Sequence, residues 1–159
     1  MEDKKIKEIR IYFESVEQAN HFMKPTIKNS LKRINIDVPI KLVKLKGKYL
    51  YYSQKIAKII YWKDPDILIS IIVDNEELPL LLIEFSNAVF TEDHELQRFD
   101  GLIAAAENDC IFVKISPLQK ESPSDHGGNV EFDFMKPYAL IFREYNILEI
   151  KLLFSNTQL

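Results

Sequence analysis

Two acidic residues at the ends of neighbouring apolar segments are the first candidates for chemistry in this chain. Asp66 opens the segment DILISIIV, and Glu84 lies near the end of the segment LPLLLIEF, 18 residues later. The residues between these segments, 74–76, predict a hairpin turn centred on Asn75. Asp66 and Glu84 are each nine residues from that centre. An antiparallel hairpin therefore places them opposite each other, with Cβ atoms about 5 Å apart.

Two carboxylates at this separation favour a bound cation. Like charges repel at such a distance, and the repulsion is offset when a positive ion lies between them. The backbone carbonyl of Phe85 is within reach, and Ser86 points to the same face of the strand as Glu84. Carboxylate and carbonyl oxygens form a hard ligand set that prefers Mg²⁺, with Mn²⁺ as a substitute, over zinc. The alternative is a pair of acids at two strand boundaries with nothing between them.

The surrounding segments predict the elements that position these acids. Residues 67–73 and 79–85 are continuous apolar runs, as in central strands that are covered on both faces. Residues 91–109 predict a helix with Thr91 as N-cap, and residues 110–116 predict another buried strand. A strand–helix–strand passage is a crossover, so the last of these strands is expected to run parallel to residues 79–85. The fold class predicted is α/β, with a mixed sheet.

The rest of the chain predicts further elements, some with alternatives. Three predicted elements precede the hairpin that carries Asp66 and Glu84. They are a strand over residues 8–13, helices over residues 15–34 with a break at Pro25, and a second hairpin or a bent strand over residues 38–52. Residues 53–62 allow either a helix or a strand. Residues 117–129 predict a loop from their composition. The tail, residues 138–154, allows either a hairpin or a closing helix.

Charge divides the chain into a basic part and an acidic part. Residues 1–63 hold 15 Lys and Arg against 6 Asp and Glu, whereas residues 64–159 hold 6 against 18. Such a division suits a protein that binds a polyanion with one part and a cation with the other. Tyrosines alternate with lysines in the basic part, and the candidate phosphate-binding residues there are Lys41, Lys44, Lys46, Lys48 and Lys55. The alternative is a solvated strand whose tyrosines pack in the core.

The acids and their elements resemble the PD-(D/E)XK nuclease superfamily. Pro65–Asp66 matches the first half of the motif, and Glu84–Phe85–Ser86 matches the second half except at its lysine. The resemblance covers residues 15–116 in the order of elements. It implies a restriction-endonuclease-like core, which is a central β-meander flanked by helices with a parallel last strand. It also implies that Asp66, Glu84 and the Phe85 carbonyl hold Mg²⁺ for hydrolysis of phosphodiester bonds in DNA.

The departure from the motif is Ser86, which stands in the place of the lysine that helps to position or activate the attacking water in the family. Serine can hydrogen-bond a water molecule but carries no charge. The family pattern makes Gln97 on the following helix the first candidate replacement, with Arg98 and Lys114 as others. Arg98 is also a candidate DNA contact, and Glu17 on the first helix is a candidate fourth metal ligand.

Length and composition limit the range of functions. A chain of 159 residues with 47% hydrophobic and 28% charged residues is expected to form one domain, residues 1–159. Within this domain, residues 1–63 are expected to face nucleic acid and residues 64–116 to form the catalytic core. Cys110 is the single cysteine, which excludes an internal disulfide, and the charged start predicts no signal peptide. A cytoplasmic protein without a membrane partner is expected.

Three functions are compatible with these features. The first is a Mg²⁺-dependent endonuclease of the restriction type, acting either as a homodimer or as the cleavage domain of a longer enzyme. The second is a non-catalytic nucleic-acid-binding module on the same scaffold, which the loss of the lysine motivates. The third is an unrelated α/β interaction domain whose hairpin acids are incidental.

Overall fold

The computed structural model of the protein describes residues 5–46, 51–85, 92–117, 143–144 and 149–154. Within these ranges six strands form one sheet: β1 (Ile6–Phe13), β2 (Ile40–Lys44), β3 (Ile67–Val73), β4 (Glu76–Phe85), β5 (Ile111–Pro117) and β6 (Glu149–Phe154). The helices are α1 (Lys24–Arg33), α2 (Gln54–Trp62) and α3 (Glu92–Ala106), and a π-helical stretch, Gln18–Met23, leads directly into α1. No helix in the described ranges is long and apolar enough to cross a membrane.

The strands lie in the order β2-β1-β3-β4-β5-β6. β3 is antiparallel to both β1 and β4, whereas β5 is parallel to β4 and to β6, and β2 is parallel to β1. The predicted α/β class with a mixed sheet is therefore confirmed, as is the parallel strand after α3. The antiparallel run consists of β1, β3 and β4. β2 comes between β1 and β3 in the chain but lies at the sheet edge. The three antiparallel strands are therefore not consecutive in the sequence, whereas the strands of a meander are.

Helices cover both faces of the sheet and bury two separate clusters. On one face, Leu68, Leu82 and Phe112 pack against α2 and α3. On the other face, strand residues such as Ile69 and Ile83 pack against the π-helical stretch and α1. Alternation along each strand produces this division, because successive side chains point to opposite faces. These faces are called below the α2/α3 face and the α1 face.

Residues 53–62, for which the sequence allowed either a helix or a strand, form a helix. Ile56, Ile59 and Ile60 in α2 are all buried on the α2/α3 face. Their spacing of three and four residues is that of one side of a helix, and a strand would send Ile59 and Ile60 to opposite faces. The position of α2 matters for the site because its C-terminal end carries Trp62 and Lys63.

The break predicted at Pro25 takes the form of the π-helical stretch. The N–H of Lys24 donates to the carbonyl of Ala19, five residues earlier, and α1 then begins with Pro25 in its first turn. Proline has no N–H to donate and its ring clashes with the carbonyl four residues earlier, so it is tolerated at the start of a helix. The wider turn thus ends one helical segment and opens the next.

The turn between β3 and β4 differs from the prediction. Val73 pairs with Glu76, so the turn has two residues, Asp74 and Asn75, with φ of 50° and 74°. A three-residue turn over 74–76 is therefore wrong. Positive φ at both central residues is the type I′ geometry that matches the twist of a hairpin, and Asp and Asn tolerate it well.

A β-bulge nevertheless restores the predicted register at the far end of the hairpin. Ser70 pairs with Pro79 while Ile69 pairs with Leu81, so Leu80 is the additional residue. Beyond the bulge Ile67 pairs with Ile83, and the next position places Asp66 beside Glu84. Without the extra residue, Asp66 and Glu84 would point to opposite faces, because a one-residue slip reverses every side chain. The bulge is thus what brings the two acids together.

Other predictions have mixed outcomes. The strand over residues 8–13 is confirmed as β1. Of the hairpin or bent strand predicted over residues 38–52, only β2, Ile40–Lys44, is a strand among the described residues. Residues 149–154 form β6 and residues 143–144 are helical, so a closing helix over the whole tail is wrong, and so is a hairpin whose first strand includes 143–144. Residues 118–129 of the predicted loop lie outside the described residues.

Candidate functional site

One edge of the sheet carries the candidate residues. Phe13, Ile67, Ile83 and Val113 form one row across β1, β3, β4 and β5. The next row towards the strand ends contains Asp66, Glu84 and Lys114. All three are even-numbered positions that alternate with the α1-face residues, so they belong to the α2/α3 face. The carboxyl ends of β4 and β5 meet here, which is where open α/β sheets usually bind ligands.

Asp66 is fixed by hydrogen bonds to both neighbouring strands. Its Oδ2 accepts the backbone N–H of Phe85 at 2.7 Å, and its carbonyl accepts the N–H of Glu14 at 3.2 Å. The side chain is half-buried, behind the fully buried Pro65. Phe85 therefore contacts Asp66 through its N–H, whereas the sequence pointed to its carbonyl. Asp66 is the more accessible of the two acids.

Glu84 is buried among positive charges. It is 4% exposed, and in the parallel ladder its partner is Lys114, which is 1% exposed. The Nζ atom of Lys63 lies 3.9 Å from Glu84 Oε2. Buried carboxylates need such compensation, because the loss of hydration is otherwise too costly. The structure thus places the ammonium group of Lys63 near the Glu84 carboxylate and a second lysine, Lys114, beside Glu84 in the ladder.

Gly101 allows α3 to lie close over Glu84. A Cβ atom at position 101 would be 3.2 Å from a ring carbon of Phe112 and 3.5 Å from the Cγ of Glu84. The first distance is below ordinary van der Waals contact. A side chain at position 101 would therefore displace either the helix or the Phe112 ring, so glycine determines how closely α3 lies over the site.

The remaining catalytic and metal candidates are only partly located. Ser86 lies outside the described residues, and Gln97 and Arg98 belong to α3 but their side chains lie outside them too. Glu17 is exposed just before the π-helical stretch. Within the described residues, no three or more His, Cys, Asp and Glu side chains are grouped so as to hold a metal ion. The structure therefore does not bring Glu17 together with Asp66 and Glu84.

The donor atoms at this edge fit magnesium in type and in number. Mg²⁺ usually takes one or two protein carboxylates and completes its shell with water and substrate phosphates. Asp66 and Glu84 supply two carboxylates, and the Phe85 carbonyl is adjacent. The two lysines beside Glu84 disfavour a metal ion here, because their charges already offset one of the carboxylates.

A basic groove lies on the same face, over β1 and β2. It encloses about 500 Å³ and is lined by Arg10, Tyr12, Lys41, Val43, Lys44, Lys46, Tyr51 and Tyr52. Three of the predicted phosphate-binding residues are thus brought together. Lys48 lies outside the described residues, and Lys55 is not in the groove because it forms an ion pair with Glu76 at 2.7 Å. The charged side chains that line the groove in the described part of the chain are all cationic.

The wall of the groove is held by a buried network that sequence reasoning missed. Glu77 Oε1 accepts from the hydroxyls of Tyr12 and Ser70, both at 2.7 Å, and Oε2 accepts from Arg10 at 3.2 Å. Arg10 also pairs with Glu8. The Glu8 hydrogen bond raises the pKa of Arg10 above its usual value, and burial, followed by the bond to Glu77, raises that of Tyr12. Arg10 therefore stays charged and Tyr12 stays neutral.

A further aromatic contact closes the inner end of the groove. The rings of Tyr12 and Tyr52 meet edge to face with centroids 5.6 Å apart, and the hydroxyl of Tyr52 accepts the N–H of Lys46 at 2.8 Å. Tyr52 thereby ties the segment after β2 to the sheet. The alternation of Arg10 and Tyr12 in β1 predicts that both side chains lie on one face of the sheet, but not that Glu77 is their partner.

Comparisons with known proteins give no relative: no protein-family model matches the chain, and neither a curated protein nor a solved structure matches it.

Proposed function

We propose that the protein is a Mg²⁺-dependent endonuclease that hydrolyses phosphodiester bonds in DNA, on a variant of the restriction-endonuclease-like core. The observation that carries the proposal is the row of Asp66, Glu84 and Lys114 on one face at the strand ends. It contains an aspartate, a glutamate and a lysine, which are the residue types of the PD-(D/E)XK site. The lysine comes from the adjacent strand instead of position 86.

In this proposal each residue of the row has a distinct role. Asp66 and Glu84, with the Phe85 carbonyl, would hold the magnesium ion. When bound, Mg²⁺ lowers the pKa of a coordinated water and offsets charge on phosphate oxygens. The N–H of Phe85 orients the Asp66 carboxylate, and Lys63 and Lys114 add positive potential where the scissile phosphate gains negative charge. The basic groove on the same face holds the DNA backbone.

The experiment is cleavage of supercoiled plasmid and of labelled single strands, with Mg²⁺ or Mn²⁺. Wild type is compared with Asp66→Asn and Glu84→Gln, and the matched control is Asp64→Asn, because Asp64 is an exposed aspartate two residues from Asp66. Metal-dependent cutting that both site variants lose and the control keeps supports the proposal. Equal cutting by all four proteins places the activity elsewhere, and the absence of cutting with either metal refutes the proposal.

A second candidate is a non-catalytic nucleic-acid-binding module. The observation that favours it is the burial of Glu84 with Lys63 at 3.9 Å and Lys114 as its ladder partner, because neighbouring positive charges offset a carboxylate without a metal. This candidate predicts no calorimetric signal for Mg²⁺ binding in wild type, and plasmid binding that Asp66→Asn leaves unchanged. The endonuclease predicts a Mg²⁺ signal that Asp66→Asn abolishes and Asp64→Asn retains.

A further inference from the structure

Three aromatic side chains stand largely exposed beside the groove and the candidate site. Tyr51 is 72% exposed at the groove, and Tyr61 and Trp62 are 71% and 57% exposed at the C-terminal end of α2. Lys63, whose Nζ lies 3.9 Å from Glu84, directly follows Trp62. Large aromatic surfaces are usually buried, so exposed rings just before α2 and at its C-terminal end indicate a ligand with flat apolar faces.

The groove supplies the complementary charge. Lys41, Lys44 and Lys46 are all exposed around it, and Arg10 in its wall is bound by Glu8 and Glu77. Its volume of about 500 Å³ is that of a cleft for small ligands or a few linked units. Cations beside exposed rings are the combination that binds phosphates and stacks bases. A neutral peptide could pack against the rings but would not offset the positive charge of the lysines.

The exposed aromatic rings favour a single strand over a duplex as the ligand. A duplex keeps its bases stacked on one another and presents only their edges, so exposed protein rings gain little from it. An unpaired strand offers a free face on each base. Tyr51 lies three residues before α2 and Trp62 is the last residue of α2, whose nine residues span about 14 Å, a length that a few nucleotides cover.

We infer that the substrate of this protein is single-stranded DNA. Its phosphates lie along Lys41, Lys44 and Lys46, its bases stack on Tyr51 and Trp62, and the strand continues to the edge that carries Asp66 and Glu84. The identification as substrate rests on the proposed nuclease function. The binding itself does not, because it needs neither metal nor cleavage.

The first measurement uses Trp62, the single tryptophan of the chain. An oligodeoxythymidylate of about 16 nucleotides is titrated into the full chain in EDTA, and tryptophan fluorescence and the anisotropy of an end label are followed. We expect saturable quenching and tighter binding of the single strand than of a duplex of equal length. Competition with oligouridylate tests DNA against RNA.

Paired variants separate stacking from charge. Tyr51→Ala is expected to weaken binding about tenfold, whereas Tyr51→Phe, which keeps the ring, retains it. Lys44→Ala is expected to reduce the slope of log K against log salt by about 0.7, the value for one phosphate contact on a single strand. Lys28→Ala is the control, since Lys28 is an exposed lysine on α1, across the sheet.

The outcomes distinguish this inference from the nuclease proposal. Duplex bound as tightly as single strand, with Trp62 fluorescence unchanged, overturns the inference even if plasmid is cleaved. Preference for oligouridylate overturns its DNA part, and equal binding by Tyr51→Ala and Tyr51→Phe overturns its stacking part. Single-strand binding with Trp62 quenching supports the inference as a binding site, and if no metal then produces cleavage, only the nuclease proposal fails.

Discussion

Glu84 and Lys114 are a carboxylate and an ammonium buried side by side on parallel strands, and their mutual dependence is testable. We expect Lys114→Met to destabilise the fold by about 3 kcal/mol, because it removes the buried ladder partner of Glu84 and leaves Lys63, at 3.9 Å, to offset the carboxylate. Adding Glu84→Gln should restore most of the loss, since it removes the uncompensated charge. Urea unfolding of both single variants and the double variant measures the coupling.

Lys28→Met is the control for this pair, because Lys28 is an exposed lysine. It should change the free energy of unfolding by less than about 0.5 kcal/mol. If the effects of Lys114→Met and Glu84→Gln simply add, the two residues are not coupled. In that case Lys114 is not the charge that compensates Glu84, and its assignment to the place of the motif lysine loses its basis.

Tyr12 and Glu77 form the second residue-level test. Tyr12→Phe removes one of the hydroxyls that Glu77 Oε1 accepts, so a loss of about 1.5 kcal/mol in the free energy of unfolding is expected. Tyr51→Phe serves as the control, since Tyr51 is largely exposed and should change stability little. Thermal or urea unfolding measures both. A Tyr12→Phe variant as stable as wild type would show that the network does not hold the groove wall.

Single residues were the least predictable level of the site. Lys41, Lys44 and Lys46 were predictable because lysines alternate with apolar residues in this segment of the sequence. Arg10 and Tyr12 were missed because their partner Glu77 is 65 or more residues away, and only the sheet order brings them together. A pattern within one segment cannot report such a contact.

At the level of elements, the hairpin shows how a correct pairing came from an incorrect turn. The sequence predicted three turn residues, and the structure has two turn residues and a bulge at Leu80. Each change shifts the register by one residue, and together they leave Asp66 beside Glu84. Pro79, which cannot donate a strand hydrogen bond, was the available sign of an irregularity at this point. Strand types and order were more predictable because continuous apolar runs mark buried strands.

The turn itself makes a prediction about backbone conformation. Asn75 has φ of 74°, and its Oδ1 accepts from Lys7 Nζ at 2.9 Å. Asn75→Ala and Asn75→Gly both lose that hydrogen bond, but glycine adopts positive φ without steric cost. We therefore expect the alanine variant to be about 1 kcal/mol less stable than the glycine variant, measured by urea unfolding. Equal stabilities would mean that the turn rearranges.

For the molecule as a whole, the division of charge along the chain becomes a division in space. The groove is formed by residues of the basic part, 1–63, and the acids Asp66 and Glu84 come from the acidic part. Both lie on the α2/α3 face, which α2 crosses between Tyr51 and Lys63. The sequence predicted the two parts, but not their common face, because that depends on β1 lying next to β3.

Global stability should fall in alkaline solution because a buried acid stays protonated in the fold. Burial raises the pKa of the Cys110 thiol from 9.0 to about 12. Above pH 9 the unfolded chain therefore loses this proton while the folded chain keeps it, so the unfolded state binds fewer protons and stability decreases as pH rises. Below pH 9 the effect is absent, and it is complete above about pH 12.

The corresponding experiment is urea unfolding of wild type and Cys110→Ala at pH 8 and pH 10.5. We expect wild type to lose about 2 kcal/mol more than the variant over this interval, since one pKa unit corresponds to about 1.4 kcal/mol. The packing lost with the thiol lowers the variant by a constant amount at both pH values and therefore cancels in the comparison. Tyr12, whose pKa burial also raises, contributes in the same direction to both proteins. Equal pH dependence of the two proteins would mean that Cys110 is ionised as readily in the folded chain as in the unfolded one. The burial of Cys110 between α3 and β5, where it is 1% exposed, predicts the opposite.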